Sequence, residues 1–570
     1  MTSPLIYRRA ETQAECKFGV AFMNARTGEV CLGEFEDDRN LSRLRTLLSH
    51  FPPTQMLIER GNLPSDLLNM LSTTTSGVPI ESLKPGTEFL SSADLLVELE
   101  TSCYFDALKP GISQEQLPET WSSKLNWPIA VVQLIDRKDP SARIIDPDHQ
   151  LAGDCFGALI HYLRYCLIDR DILTLGLISE YQPLDCIQQA VSNKHFYERQ
   201  KHMVLDSVTM TNLDILKNVA TGTVEGSLIE QLDNCSTPFG RRLLRKWVSA
   251  PLCHPHAIKE RQEAVTGLIE WGLHSSFCAD LKTTLKSLPD LERLITKVHL
   301  MGTSGATEDQ PESRAILFEE IIYSKRKITD FVATIKGFNV AFSFMKELRM
   351  QPIKSSLLRN LCTLASDEES SSMFPDLQEE LRYFDRAFDH ESAKKQGRIV
   401  PERGVDKDFD LACGQLEQVE SEIDEHLLEC GKEIGCRLSY WGTGRNRLQI
   451  EVPDHKLKCV PRDWQMSSQK KGFKRYRTKE TTVLLARLMQ AEERKDYALC
   501  HIMRRIFAKF STHFHKFHAA VKCIAQLDCL VSLADYSCKI ENAGACMPHV
   551  LSLDPTVIFH LYSFIMIHSL

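Results

Sequence analysis

None of the nineteen cysteines stands in a C-x-x-C pair, so no zinc ribbon or thioredoxin-type site is written by spacing. The chain does not open with the apolar core of a secretory signal. Its thiols are therefore expected to be reduced, many of them small core residues, in cytosol or nucleus. No apolar run reaches the roughly 20 residues needed to span a bilayer. The stretch VIFHLYSFIMIHSL comes closest, and His560 and His568 interrupt it. There is no G-x-x-x-x-G-K-[ST] phosphate loop, since Gly431-Lys432 lacks the upstream glycine and the hydroxyl; this excludes a P-loop nucleotidase written in these residues. Positive charge is in deficit, with 68 Lys and Arg against 76 Asp and Glu. That excludes a protein that coats nucleic acid over its whole surface, and it leaves room for one confined basic site. Glycine and proline are also absent from Phe473 to Ala543, a stretch without turn punctuation.

What is present is ordinary in bulk: 570 residues, 43% hydrophobic and 25% charged, which implies a globular protein of several domains. The first part alternates elements. Phe18–Met23 and Val30–Phe35 read as strands joined by a turn at Asn24–Gly28, and Leu41–His50 as a helix. Gln55–Glu59 reads as a buried strand, Pro64–Leu71 as a helix opened by proline, and Val78–Leu83 as another strand. From about His149 the period becomes helical: Cys155–Leu173, Leu228–Val248, Ala257–Trp271, Leu281–Val298 and Ala315–Leu348. Gly302–Pro311 is a polar loop and Ser366–Ser372 an acidic, serine-rich break.

Further on, Leu416, Val419, Ile423 and Leu427 mark a helix over Leu411–Glu433. Leu438–Trp441 and Arg447–Val452 then alternate as strands around a turn-prone Gly442–Asn446. Ser467–Lys479, SSQKKGFKRYRTK, is a dense basic tip with Phe473 and Tyr476 among its cations, a mix suited to tracking a nucleic-acid backbone. The plainer reading of the same residues is a solvated charge run at a loop end. Beyond it, a continuous helix from Lys479 to Tyr536 would run about 87 Å, so part of it is expected to project as an arm. One arm going out and one coming back would carry the hairpin and the cations at their far end.

Several blocks, in order, resemble the MutS family of DNA mismatch-repair proteins. MVLDSVTMTNLDIL (203–216), EGSLIEQLDNCSTPFGRRLLRKWVSAPL (225–252) and LPDLERL (288–294) are similar to that family's lever region. FDRAFDHESAKKQGRIVPERGVDKDFD (384–410), YWGTGRNRLQIEVP (440–453) and the basic tip are similar to the clamp of its mismatch-reading MutSα subunits. FGVAFMNARTGEVCLGEFEDDR (18–39) is similar to their connector. The resemblance implies a multidomain, predominantly α protein with an α/β ribonuclease-H-like connector, a long-helix lever and a small α+β clamp. The corresponding segments are a divergent leader 1–14, connector 15–147, lever 148–385, clamp 386–484, returning lever helix 485–545 and divergent apolar tail 546–570. It also implies a nuclear protein that holds double-stranded DNA through the clamp and pairs with the second MutS homologue, with no membrane association. ATP and magnesium are cofactors of full-length relatives, and none is expected for these residues.

Two departures stand beside the likeness. The family's mismatch-binding domain would precede the connector, where about 15 residues stand, and its Phe-x-Glu signature has only chance matches at Phe196-Tyr197-Glu198 and Phe318-Glu319-Glu320. The family's ATPase would follow residue 545. The sequence is accordingly expected to be an internal fragment, without enzymatic activity of its own.

The candidate DNA contacts are Lys470, Lys471, Lys474, Arg475 and Arg477, with Arg445 and Arg447 assisting from the neighbouring hairpin. No catalytic, cofactor or metal residue is assigned. Of two rival readings, a ribonuclease-H-like nuclease needs carboxylates holding two metal ions, yet Asn24 stands at the first strand end and Asp37 and Asp38 past the second. The other rival is a helical protein-interaction scaffold, or a dominant-negative short form, without DNA binding. His513, His515 and His518 cannot converge on one metal from a single helix, because 513 and 515 point to nearly opposite sides. They are expected on a solvated face, and His254 and His256 flank a turn proline.

Overall fold

The computed structural model describes residues 5–12, 15–75, 77–108, 119–185, 202–271, 276–303, 320–364, 373–541, 547, 548 and 550. The acidic break at 366–372, all of the apolar tail 546–570 except residues 547, 548 and 550, Phe196-Tyr197-Glu198 and most of the 302–311 loop lie outside them. The chain forms two units: Met1–Ile316 with Asp330–Leu381 and Ala508–Leu570, and Leu317–Thr329 with Arg382–Phe507. It is a multidomain protein made mostly of helix, with two sheets.

The first unit contains a six-stranded sheet of order β5-β4-β1-β2-β3-β6. Its strands are β1 (Leu5–Thr12), β2 (Glu15–Asn24), β3 (Glu29–Asp37), β4 (Met56–Glu59), β5 (Ile80–Leu83) and β6 (Ile178–Glu180). β1 to β3 are successive antiparallel neighbours, and β4 is parallel to both β1 and β5. β1 falls within the stretch read as a leader, and its backbone pairs on both sides.

Alternation along β2 explains the layering. Phe18, Val20 and Phe22 pack with Leu44, Leu47 and Leu48 of helix α1 (Ser42–His50) and Leu67 and Leu71 of α2 (Ser65–Thr74). Ala21 and Met23 face the other way, onto Cys155, Phe156 and Leu159 of α3 (Gln150–Tyr165). Gly19 permits that approach, because a Cβ there would sit 2.4 Å from the backbone of Leu151.

The helix expected over Cys155–Leu173 is two helices. α3 stops at Tyr165, and α4 (Asp169–Leu173) follows. Leu167 takes a left-handed φ of 58°. The N–H of Ile168 then turns back to the carbonyl of Leu163 at 3.0 Å, satisfying a helix-end acceptor as a glycine-type cap would.

Helices dominate the other described residues of the unit: α5 (Ser207–Asn212), α6 (Pro238–Ser249), α7 (Pro255–Glu270), α8 (Leu291–Thr303) and, from Asp330 on, α9 (Glu320–Arg349), whose first residues belong to the second unit. Leu228–Val248 is two helices, the first ending at Leu232 and α6 opening on Pro238, and Leu281–Val298 is broken at Pro289, which lies between the helix Ser276–Ser287 and α8.

The long glycine-free stretch is also broken, into α11 (Lys479–Ser511) and α12 (Phe514–Glu541), which follow α10 (Lys407–Ile434) in the chain. No glycine or proline makes this break. The Thr512 hydroxyl donates to the carbonyl of Lys509 at 2.8 Å, the kind of local side-chain bond that competes with the helical ladder. By length and composition Phe514–Cys538 could cross a bilayer, but most of it is buried in the protein's own interior. Leu527, Cys529, Leu530 and Ala534 are fully covered. It is a core helix.

Candidate nucleic-acid interface

In the second unit, α10 and α11 form an antiparallel pair. Asp406 caps α10 by accepting from the N–H of Phe409, and Gly435 closes it at φ 70°. Val419 and Ile423 pack on Leu484 and Leu488. The register is visible in the polar pairs: Arg494 bonds Gln415 and Arg487 bonds Glu422, so seven residues forward on α10 is seven back on α11. Arg505 reaches Asp406 at 2.6 Å near the other end.

Between the two helices the chain builds a four-stranded sheet of order β7-β8-β10-β9. The strands are β7 (Ser439–Trp441), β8 (Gln449–Pro453), β9 (Gln465–Lys470) and β10 (Phe473–Arg477). The basic tip is thus a hairpin rather than a loop. Its turn is Lys471-Gly472, with the glycine at φ 89°; β9 carries a register shift opposite Arg475/Tyr476. Ile450 and Val452 bury one face of the sheet with Trp464, Cys430 and Ile434.

The seven candidate cations are gathered on this sheet and its loops, in two environments. Lys470, Lys471 and Arg445 are exposed and Lys474 half-buried, and their side chains make no ion pair among the described residues. Arg475, Arg477 and Arg447 differ from the sequence expectation, because each has a partner inside the unit. Arg475 is paired across the strands with Glu451, bonds it at 2.9 Å and lies 3.4 Å from the Trp441 ring centre; it is 7% exposed. Arg477 donates to the Arg445 carbonyl and Asn446 Oδ1 at 3.3 and 3.2 Å. Arg447 grips Glu492 with both terminal nitrogens at 2.7 and 2.6 Å. That pairing raises the Arg447 pKa and lowers that of Glu492.

The reason is the strand period. Charge density makes F-K-R-Y-R look like a solvated run, but a strand sends Phe473, Arg475 and Arg477 to one side and Lys474 and Tyr476 to the other. Trp441 and Glu451, which sequence reasoning missed, are found by the same alternation along β7 and β8.

Behind the sheet, His426 Nδ1 lies 2.7 Å from the Tyr440 hydroxyl, and Cys430 Sγ lies 3.6 Å from Nε2. This is not a nucleophile with its base. Burial, with Glu433 and Glu429 nearby, pushes the Cys430 thiol up to about 11, which disfavours the thiolate; the bond that ties α10 to β7 is His426 to Tyr440.

The carboxylates considered for nuclease chemistry are otherwise engaged. Asp37 ends β3 and accepts from the N–H groups of Asp38, Arg43 and Leu44 at 2.9–3.0 Å, capping α1. Asn24 Oδ1 accepts from the N–H of Arg26. Of the three clustered histidines, His515 is exposed, His513 lies 3.4 Å from Glu380, and His518 is buried against Phe514 rather than solvated. His254 begins α7 and His256 lies 3.6 Å from Glu260. No group of three or more His, Cys, Asp or Glu among the described residues is placed to hold a metal.

Residues 208–534 match MutS domain III. The chain is 37% identical to the chicken (Gallus gallus) DNA mismatch repair protein Msh6 over 96% of its own length and 40% of the relative's. It is 38% identical to the human protein of the same name, covering 95% of this chain and 39% of the relative. To the probable Msh6 of Drosophila melanogaster it is 34% identical, over 94% and 43%. It therefore spans about two fifths of the length of these curated relatives. With more than half of its residues inside domain III, the chain belongs to the MutS family.

Proposed function

We propose that the chain serves DNA mismatch repair by gripping duplex DNA through its backbone. The sheet between α10 and α11 acts as a clamp, in concert with a second MutS homologue in the nucleus. One observation carries this reading: Lys470, Lys471, Lys474 and Arg445 gather on a sheet and its loops without carboxylate partners among the described residues, while Arg475 and Arg447 are paired with Glu451 and Glu492. Phosphate contacts of this kind release counterions and carry little sequence preference.

The order β3-β2-β1-β4-β5, with three antiparallel strands followed by parallel ones, supports a ribonuclease-H-like connector. β1 extends that reading toward residue 5. The helices around α12 would be the lever. The contribution is grip rather than chemistry, with ATP and magnesium left to full-length relatives. The purified 570-residue chain is expected to show no magnesium-dependent ATP turnover above a heat-denatured control, and steady turnover would overturn that part.

The clamp is tested by measuring duplex affinity from low to moderate salt. Changing Lys470, Lys471 and Lys474 to Gln should flatten the slope of log K against log salt by about 2 to 3. Arg475→Met should leave the slope alone and lower the unfolding midpoint, since Glu451 loses its partner. An unaltered slope in the triple variant would remove the clamp assignment.

A further inference from the structure

The four-stranded sheet has a second face. Ile450, Val452, Trp464 and Tyr476 pack inward with Cys430 and Ile434 of α10. Cross-strand pairing sets Trp441, Glu451, Arg475, Phe473 and Lys470 on the opposite side. Lys470 is exposed there, and the Trp441 and Phe473 rings are 44% and 40% exposed. Two aromatic rings thus stand in water among cations, and phosphate contacts to a duplex leave them unused.

Trp441 is fixed from below. The Arg475 guanidinium lies 3.4 Å from its ring centre and is held in turn by Glu451 at 2.9 Å. Arg475 is almost fully covered, so the indole shields it and turns its other side to solvent. The loop after β7 is fixed as well. Arg447 Nε donates to the carbonyl of Gly444 at 3.1 Å, Gln449 Nε2 to that of Asn446 at 3.0 Å, and Arg477 to that of Arg445 at 3.3 Å. A Cβ at Gly442 would strike the Asn446 carbonyl, so only glycine closes this turn. Four residues past the ring, Arg445 is left exposed.

These features define an occupant. A duplex offers phosphates to Arg445 and Lys470, but its base faces are covered by one another and cannot meet a flat ring. An unpaired nucleotide offers both, a phosphate for the cation and a π-face for the indole. Glu451 is the acid on this face, and Arg475 already neutralises it. We propose that the outer face of the sheet takes up single-stranded DNA, with one base stacked on Trp441, another on Phe473, and the backbone on Arg445 and Lys470. Aromatic platforms beside a basic track bind single strands in this sequence-tolerant way. The inference rests on the clamp reading for its cations and adds a substrate that reading does not contain.

The test uses the full 570-residue chain and fluorescein-labelled DNA at low salt, read by anisotropy. Three probes are compared: a short mixed-sequence strand, the same strand with abasic sugars at its central positions, and a blunt duplex. Trp441→Leu keeps an apolar cover over Arg475 and removes the ring. It should bind the intact strand about tenfold more weakly and the duplex as the parent does. Phe473→Leu should show the same selectivity with a smaller loss, and Trp441→Phe should keep most of the affinity. The parent should lose about tenfold on the abasic strand, while Trp441→Leu should scarcely distinguish the two strands. A tryptophan that only shields Arg475 would not produce that coupling. Urea midpoints confirm that each variant is folded. Equal losses on strand and duplex, equal parent affinity for intact and abasic strands, or no single-strand binding by the parent, as for a face that meets an acidic protein, would each overturn the proposal. Failure of the clamp reading shows separately, as a duplex salt slope that the lysine changes do not move.

Discussion

Replacing Asp528 with alanine is expected to cost about 3–5 kcal/mol of stability, because it leaves buried donors without an acceptor and a cavity beside them. Asp528 lies on α12 and is fully buried. One oxygen accepts from the N–H of Ser236 at 2.9 Å; the other accepts from the N–H and hydroxyl of Thr237 at 2.8 and 2.6 Å. The Thr237 oxygen in turn accepts from the N–H of Gly240 at 3.0 Å, capping α6. One carboxylate thus fixes the start of a helix nearly three hundred residues earlier in the chain. Gly240 completes the fit, since a Cβ there would come 2.2 Å from Asp528 Oδ2. Two bonds of Ser532 extend the seam, from its hydroxyl to the carbonyl of Leu232 and from the N–H of Asn234 to its oxygen.

Urea unfolding of the whole chain, followed by far-ultraviolet circular dichroism, checks this. Asp528→Ala should bring the first transition to much lower denaturant. Asp528→Asn should fall between, because its amide offers one acceptor where two sets of donors converge. Ser532→Ala should cost about 1 kcal/mol. An Asp528→Ala midpoint within error of Ser532→Ala would show that the seam does not hold α12 in place.

That seam also marks the limit of the sequence. The start of α6 has a local mark in Thr237-Pro238, a cap residue followed by proline at the first helical position, although the helical period over Leu228–Val248 runs through it. Asp528 as the acceptor that anchors it is not legible, because nothing local links positions so far apart. The same division runs through the clamp. The apolar stripe of α10 and the outward and returning helices follow from period and from missing glycine. The internal pairing of Arg475 does not, because charge density hid the two-residue alternation of β10. β1 carries no alternation strong enough to stand out, and its place in the sheet comes from backbone pairing on both edges. Helix ends at Leu167 and Thr512 escaped because neither uses glycine or proline.

Acid should weaken the first unit well before its ordinary carboxylates titrate. His299 and His518 are buried, and desolvation lowers both from 6.5 to about 4. Both rings contact Phe514, with centroids 5.3 and 5.7 Å away. The charged groups facing His518 are Lys522, His515 and Lys246, which lower its pKa further, and Glu29, which opposes them. His515 acts on His299 as well, and Thr174 Oγ1 lies 3.1 Å from its Nε2.

A base whose pKa is depressed by folding stays neutral in the native state while the unfolded chain takes up its proton. Stability is therefore full above about pH 6.5 and falls as pH drops toward 4, by about 2 kcal/mol per histidine at pH 5 and about 3 at pH 4. Asp528 and Glu292 push the other way, since burial raises both and each then favours the native state in acid. Their effect runs from the raised folded-state values down to the ordinary carboxylate range, so it overlaps the histidine window and offsets part of the loss there. Urea midpoints measured from pH 7.5 to pH 5 should fall steeply for the parent chain. In the double variant His299→Gln, His518→Gln they should fall much less, because neither side chain can then take up a proton. Parallel pH profiles for parent and variant would show that the two imidazoles are not the acid-sensitive element of this core.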